Sequence, residues 1–329
     1  MRTNQKFSVM KSGNINWFTR YATVLTFIII CIFFILITDN SKFVEGNNIS
    51  NIFRQSAILC IVALGLTFTL GVGEFDMSVG SIVGLTCTMC MGLVAKQGLT
   101  PVSAIIITIL VGLTAGAINS IITIFCRIPS IIVTLGMQSV LQGVLYIYCG
   151  GKAMYGGSVP RIFVTLGQGN IGFIPVLVIV MILFIAFTYF ILNKTLIGRY
   201  LYATGGNHLA ARLSGINTNK HKIAAMMTCS AYAAIAGILL AARLGSGQPT
   251  AGESYTMEAM SAVFIGMTMI RPGRANVVGT VIGVLLLGVL SNGLNLMGVS
   301  YSTQNITKGV IMIAAVAIAA SQTELKFFS

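Results

Sequence analysis

The sequence predicts an all-α integral membrane protein with about ten transmembrane helices and room for short re-entrant helices. Only 8% of the 329 residues are charged and 56% are hydrophobic, whereas a soluble domain carries about 25% charged residues. A soluble protein needs charged side chains to cover its surface, so lipid must contact most of this exterior. The 36 glycines fit that interpretation, because small residues let helices pack closely in a bilayer.

Ten apolar runs are long enough, or nearly so, to cross a bilayer, which takes about 20 residues. They are 21–38, 52–71, 77–95, 102–125, 129–148, 173–192, 223–242, 257–270, 275–296 and 304–320. The eighth run is short, and the alternative is a re-entrant pair of half-helices over 257–296. This pattern predicts a tail over 1–20, a transmembrane domain over 21–320 with a long loop at 193–222, and a tail over 321–329.

The distribution of Lys and Arg predicts the orientation. With the amino terminus in the cytoplasm, the inner segments hold 13 of these residues and the outer segments hold 6. Cytoplasmic loops carry such an excess, so both termini are predicted to be cytoplasmic. The first run is followed by Asp39-Asn40-Ser41-Lys42, which lacks the small-residue cleavage site of a signal peptide. It is therefore expected to be retained as a span.

Several function classes are disfavoured by the residue patterns. The net charge of +13 is scattered over short loops, so no basic face for nucleic acid is expected. Seven cysteines without metal spacing and two histidines make a metal site improbable, and no cofactor is predicted. The chain lacks a Gly-x-x-x-x-Gly-Lys-Ser/Thr phosphate loop, a Gly-x-Ser-x-Gly motif and a His-Glu-x-x-His motif. We therefore do not expect an enzyme.

The loop over 193–222 is the most informative inner segment. Gly205-Gly206-Asn207 is typical of a turn followed by a helix start, with Asn207 suited to cap free N–H groups. A short helix is predicted over 208–214, ended by Gly215. It presents an apolar knob to the cytoplasm, formed by Leu209, Ala210, Ala211 and Leu213. Such a knob fits docking of a helix into the groove of a soluble partner, and the alternative is a solvated linker with one helical turn.

Four strings carry a family resemblance: Asp76–Ser81, Ala203–Asn217, Arg243–Gly252 and Ser291–Ser300. They follow the family's order between about residues 50 and 320, so the resemblance covers most of the chain. The sequence resembles the ribose-type sugar permeases of ABC importers, a class that includes ribose, xylose, arabinose, galactoside and autoinducer-2 systems.

The resemblance implies the ABC importer permease fold and a function. A permease of this class translocates a sugar or sugar-like solute by alternating access, in the bacterial cytoplasmic (inner) membrane. Its implied partners are a second permease subunit (the same chain or a sister), an ATP-binding protein that hydrolyses ATP, and an extracytoplasmic solute-binding protein. The loop that includes Asn207 and Arg212 would couple ATP hydrolysis to transport.

The coupling loop keeps part of the family pattern. ABC importers carry Glu-Ala-Ala, three residues and Gly; Ala210, Ala211 and Gly215 keep that spacing, whereas Leu209 replaces the acid. A coupling ion pair at Leu209 is therefore not expected. Two other departures are Gly73-Glu74-Phe75, in place of Gly-Gly-Ile, and Arg271–Ala275, in place of Gly-Gly-Arg-Gly.

Glu74 and Asp76 allow several interpretations, because ionisable groups in or near a membrane tend to face a cavity or a partner. They could line the translocation pathway, pair with a basic group such as Arg127, or, for Asp76, cap the third span. A proton relay is a further alternative, although an ATP-driven importer does not require one.

Polar uncharged side chains within the apolar runs are candidates for the pathway of a polyol, which must exchange water for protein hydrogen bonds. We select Asn119, Gln138, Asn292 and Asn295, and hydrogen bonding between helices is the alternative for each. The competing function is an ion-driven secondary transporter that uses Glu74 and Asp76. A membrane-embedded enzyme is a weaker third class, and the solute itself is not predicted.

Overall fold

The computed structural model describes residues 17–38, 42–157, 159–268 and 273–322. These residues form thirteen helices and one two-stranded antiparallel hairpin. The helices are α1 Trp17–Ile37, α2 Gly46–Gly71, α3 Val79–Ala95, α4 Pro101–Phe125, α5 Ser130–Cys149, α6 Arg161–Gln168, α7 Val176–Lys194, α8 Leu196–Gly206, α9 His208–Leu213, α10 Thr218–Leu244, α11 Tyr255–Met267, α12 Val277–Leu296 and α13 Tyr301–Gln322. The strands are β1 Asn170–Ile171 and β2 Ile174–Pro175.

The predicted fold class, a helical membrane protein, is confirmed. Each predicted apolar run overlaps a helix. Within the described part of the chain, six helices are long and apolar enough to cross a membrane: α2, α4, α5, α7, α10 and α12. Two shorter apolar helices are Leu25–Ile37, within α1, and α3. Helix α11 has only 13 residues and is about 20 Å long, so a crossing by α11 alone is too short for a core of about 30 Å. The number of ten spans stays a prediction.

Parts of the predicted organisation lie outside the described residues. They are residues 1–16 of the amino-terminal tail, residues 39–41 after the first apolar run, residues 269–272 (the end of the eighth run with Arg271 and Pro272), and residues 323–329 of the carboxy-terminal tail.

Helices α2 and α10 form the centre of the bundle. In the most apolar 18-residue stretch of each helix, 83% of the residues of α2 and 67% of those of α10 are buried within the protein, against 22% for α7 and 28% for α5. Close approach depends on small residues: Gly237 of α10 lies against the Val83 carbonyl and the Thr86 hydroxyl of α3, and a Cβ there would collide with both. Tight packing of small side chains replaces the hydrophobic effect as the main attraction between helices in lipid.

The bundle has two distinct ends. The first, which we call the α9 end, holds α8, α9, the start of α10, the turns between α2 and α3 and between α4 and α5, and residues 273–276 before α12. The second, which we call the hairpin end, holds α6 and the β1–β2 hairpin. There Arg54 at the start of α2 donates to the Gln168 carbonyl at 3.0 Å and to Asn170 Oδ1 at 2.7 Å, and Gln168 Nε2 donates to the Arg243 carbonyl at 3.0 Å.

Candidate functional site

The loop over 193–222 folds into two short helices at the α9 end. Asn207 separates them and caps α9 as the sequence predicts, because its Oδ1 accepts from the N–H of Ala210 at 2.9 Å. After α9, Gly215 adopts φ +80°, a backbone conformation that side chains with a Cβ rarely adopt. Asn217 then caps α10 by accepting from the N–H of Lys220 at 3.1 Å.

The predicted apolar knob is present with one correction. Leu209 and Leu213, which stand four residues apart on one helix face, are 67% and 80% exposed, and Ala210 is exposed beside them. Ala211 was assigned to the knob by its apolar character, but it is buried. It lies on the opposite side of α9 and anchors the helix to the protein, whereas Arg212 is exposed.

Helix α8 connects this segment to two turns of the bundle. Gly205 lies against the backbone of Gly71 and Val72 at the end of α2, where a Cβ would collide with both. Tyr202 donates its hydroxyl to the Ala275 carbonyl at 2.8 Å, next to the start of α12. The guanidinium of Arg274 lies 3.8 Å from the centre of the Tyr202 ring, within the range of a cation–π interaction. A displacement of α8 therefore acts on the end of α2 and the start of α12.

Glu74 forms an ion pair at the α9 end. Its Oε1 lies 2.5 Å from Lys222 Nζ of α10, and the two side chains are 10% and 23% exposed. The pairing interpretation is thus supported, but the partner is Lys222 where the sequence suggested Arg127. Both basic residues line one cavity of about 1010 Å³, together with His208 and Arg212. Among the described residues that line it, Glu74 is the one acid.

This basic cavity changes the protonation of His208. Partial burial and the positive charges of Lys222 and Arg212 lower the pKa of His208 below its ordinary value of 6.5, against an opposing effect of Glu74. His208 is therefore mostly neutral at pH 7 and adds little positive charge to this basic cavity.

Asp76 points in the opposite direction to Glu74, into the protein. It is fully buried, and its Oδ1 accepts from Ser78 N–H at 2.9 Å and from Ser78 Oγ at 2.6 Å. Asn119 Nδ2 of α4 donates to the same Ser78 Oγ at 3.0 Å. Asp76 Oδ2 and Asn119 Oδ1 have no hydrogen-bond partner of ordinary geometry among the described residues, although the thiol of Cys229 neighbours Asp76.

Of the alternatives open for Asp76, a side-chain cap on α3 is not what the structure has. The residue at the amino-terminal cap of α3 is Ser78, and no side-chain hydrogen bond caps that helix. Asp76 instead fixes the turn that precedes α3. The same turn is bound to α5, since Phe75 N–H donates to Ser130 Oγ and Met77 N–H donates to Thr134 Oγ1, both at 3.0 Å.

The other pathway candidates lie in separate places. Asn292 exchanges hydrogen bonds of 2.8 and 3.0 Å with Asn48 of α2, which is the helix-to-helix interpretation. Gln138 lines a small cavity of about 50 Å³ between α3, α5 and the segment before α11. Asn295 Oδ1 accepts from Gln304 Nε2 at 2.8 Å and borders a cavity of about 170 Å³ near the hairpin end. These three amides and Asn119 do not line one common cavity among the described residues.

Sequence reasoning missed a second ion pair. Lys308 Nζ of α13 donates to Glu258 Oε1 of α11 at 2.7 Å, and both side chains are mostly buried. The available signal was one basic residue in the last apolar run and one acid in the eighth, since opposite charges within apolar runs tend to pair. In the part of the chain that the structure describes, no three His, Cys, Asp or Glu residues come together as metal ligands.

Comparisons with known proteins identify the family. Residues 48–316 match the family described as the branched-chain amino acid transport system / permease component. The ribose import permease protein of Bacillus subtilis is 39% identical over 290 residues, covering 88% of this chain and 89% of the relative. That of Haemophilus influenzae is 36% identical over 84% of this chain and 86% of its own length. The xylose transport system permease protein of Escherichia coli is 30% identical over 95% and 94%.

No solved structure matches the chain. The relatives named as sugar permeases agree with the resemblance to the ribose-type class, which is confirmed. The matched region contains α3 to α12 complete, the α9 segment included. The chain therefore belongs to the branched-chain amino acid transport system / permease component family of membrane transport proteins.

Proposed function

We propose that this protein is the membrane permease subunit of an ATP-driven ABC importer that carries a monosaccharide or a related sugar into the cell. The relatives named for ribose and xylose support the solute class, although the family description names branched-chain amino acids. The observation that carries the proposal is that the two leucines of α9 are exposed at one end of the helical bundle. A soluble partner can bind them there.

Docking of an ATP-binding subunit on α9 would explain why two large apolar side chains are exposed there. Leu209 and Leu213 are 67% and 80% exposed, and such a face fits a groove on a partner. Closure of two ATP-binding subunits would then displace α9 and α8. The contacts of α8 with Gly71 and Ala275 would pass that displacement to α2 and α12, which opens one end of the bundle while the other closes.

The proposed topology has ten crossings, made by α1 to α5, α7 and α10 to α13, in which α11 completes the eighth crossing together with the turn residues 249–254 that precede it. The α9 end faces the cytoplasm, and both termini are cytoplasmic. The basic residues of the two tails support this orientation, because cytoplasmic segments near a span carry the positive charge. The protein is placed in the bacterial inner membrane, where α6 and the hairpin would face a solute-binding protein on the outer side. A second permease subunit, identical or homologous, completes the complex.

The ion-driven transporter is the competing function. Glu74 is paired with Lys222, and Asp76 is fully buried with its Oδ1 bonded to Ser78, so an ion site at Asp76 would depend on the single oxygen Oδ2. We therefore assign the coupling role to the α9 segment, and keep Glu74, Asp76, Asn119, Gln138, Asn292 and Asn295 as pathway candidates for mutagenesis.

Reconstitution in liposomes tests the proposal. The chain is purified with its ATP-binding subunit and supplied with the solute-binding protein encoded with it, and uptake of labelled ribose, xylose and allose is followed. We expect uptake that needs ATP and both partners. Uptake by the chain alone, driven by a proton or sodium gradient, would establish the competing function and refute this one.

A further inference from the structure

The cavity of about 170 Å³ beside Asn295 lies among α2, α11, α12 and α13. It is lined mostly by groups that form hydrogen bonds, together with the apolar walls of Leu59 and Leu287. Its polar side chains include Ser56, Glu258, Ser291, Asn295, Gln304 and Lys308. Its space corresponds to about five or six water molecules of liquid volume, which suits one monosaccharide and excludes a disaccharide.

Ser56 is the observation that marks this cavity as a binding site. The side chain is fully buried, yet its Oγ has no hydrogen-bond partner among the described residues. A buried hydroxyl without a partner costs about 1–3 kcal/mol, so a ligand or water that satisfies it is favoured. Gly288 of α12 faces Ser56 directly, because a Cβ at that position would collide with Ser56 Oγ.

The lining offers donors and acceptors together, as the hydroxyl groups of a sugar require. Gln304 Nε2 donates to Asn295 Oδ1 at 2.8 Å and to the Val299 carbonyl at 2.9 Å, so Gln304 has its Oε1 left to accept. Lys308 carries three N–H donors, and the described residues account for one of them, the bond to Glu258 Oε1. The ion pair has no net charge, so the lining does not select a charged solute.

The ion pair also stands between this cavity and a larger groove. Glu258, Lys308, Ser254 and Leu287 line both the 170 Å³ cavity and a groove of about 590 Å³ between α11 and α13. The cavity lies in the half of the bundle near the hairpin end, because Ser56 belongs to the first half of α2 and Asn295 to the last turn of α12. In the proposed orientation this is the side from which solute enters.

We propose that this cavity is a low-affinity binding site for a single monosaccharide inside the permease, with Ser56 and Gln304 as hydroxyl-binding groups and the Glu258–Lys308 pair as its lateral wall. The site rests on the proposed function for its choice of solute. It concerns the permease itself, not the solute-binding protein.

Saturation-transfer NMR on the purified permease with its ATP-binding subunit, without the solute-binding protein, tests the site. The probes are ribose, xylose and allose, with sucrose and leucine for comparison. We expect transfer to at least one of the three monosaccharides and none to sucrose or leucine. Absence of transfer to all three monosaccharides, or transfer to leucine, overturns the assignment; in the second case the ion pair binds an amino acid's ammonium and carboxylate.

Two substitutions locate the binding. Ser56→Ala removes the unpartnered hydroxyl without adding volume and should weaken monosaccharide binding roughly two- to ten-fold, the effect of one hydrogen bond. Gly288→Ala places a methyl group against Ser56 Oγ in the contact between α2 and α12, which forces that hydroxyl out of its position, and should abolish binding. The matched controls are Ser230→Ala, which removes another buried hydroxyl without a described partner, and Gly143→Ala, whose added Cβ meets no atom within 4 Å. Both controls should bind as the unmodified protein does.

Circular dichroism and elution volume check that the variants fold. If Gly288→Ala does not fold, Ser56→Ala alone decides, and unchanged binding in that variant refutes the site. The uptake assay separates this inference from the proposed function. If ATP-dependent uptake is observed but monosaccharide binding is not, the importer function is retained and the cavity is rejected as a binding site. If uptake fails, the importer function itself is refuted.

Discussion

Replacing Glu74 with Gln should destabilise the α9 end and weaken coupling. The substitution leaves Lys222 in a cavity that Arg127 and Arg212 also line, with no acid remaining among its described lining residues. Exposed ion pairs contribute about 0–1 kcal/mol, and breaking a fully buried pair costs about 3–5 kcal/mol. The Glu74 and Lys222 side chains are 10% and 23% exposed, so this pair is intermediate between an exposed and a fully buried one. We expect Glu74→Gln to lower the free energy of unfolding by about 2 kcal/mol.

A double-mutant cycle measures this energy. Glu74→Gln, Lys222→Gln and the double variant are compared by thermal unfolding of the purified complex at pH 7.5. A loss of this size lowers Tm by about 4 °C in a chain above 150 residues. The double variant should recover most of it, because removing both charges leaves no unpaired ion. Glu45→Gln, at an exposed residue near the hairpin end, is the control and should leave Tm unchanged.

The same variants should show the consequence for transport. Because the pair joins the turn after α2 to the start of α10, Glu74→Gln should lower ATP-dependent uptake more than it lowers ATP hydrolysis. Strictly additive effects of the two single substitutions on Tm would refute the reasoning, since a pair that stabilises must show a coupling energy.

Three further results are expected. Leu213→Glu should abolish co-purification of the ATP-binding subunit while the permease still folds, because it places a charge on an 80% exposed apolar face; retained co-purification would place docking elsewhere. Tyr202→Phe removes the bond to the Ala275 carbonyl and should lower Tm by about 2 °C, from the loss of about 1 kcal/mol, and reduce uptake per ATP hydrolysed. Because the pKa of His208 is lowered in the folded protein, the unfolded chain binds the proton at a higher pH than the folded protein does. The contribution of neutral His208 to stability is therefore lost as the pH falls below about 6.5. When the pH is lowered from 7 to 5.5, the Tm of His208→Gln should therefore fall less than the Tm of the unmodified protein. An equal fall in both would contradict the lowered pKa assigned to His208.

Local chemistry made the α9 segment predictable. The cap by Asn207 and the end at Gly215 depend on side-chain oxygens and backbone angles within a few residues. The apolar face followed from the spacing of Leu209 and Leu213. Ala211 was misassigned to that face because small apolar residues suit either side of a short helix, and only the contact with the rest of the bundle distinguishes them.

Pairing between distant helices was not predictable in the same way. Glu74 was expected to find a basic partner, but Arg127 and Lys222 were equivalent by composition and differ only in where α5 and α10 begin. Asn292 and Asn48 are 244 positions apart, and no pattern in the sequence around either residue indicates the other. The cavity beside Ser56 also depends on four helices meeting, so the unpartnered hydroxyl could not be recognised in advance.

The membrane class, the helical character and the exposed α9 segment follow from the order of residues alone, because hydrophobicity, capping and glycine conformation act over one helix length. The positions of charges relative to one another, the bonds that tie α8 to α2 and α12, and the polar cavity arise from the packed bundle. They depend on distances between helices that are far apart in the chain, and small residues such as Gly205, Gly237 and Gly288 set those distances.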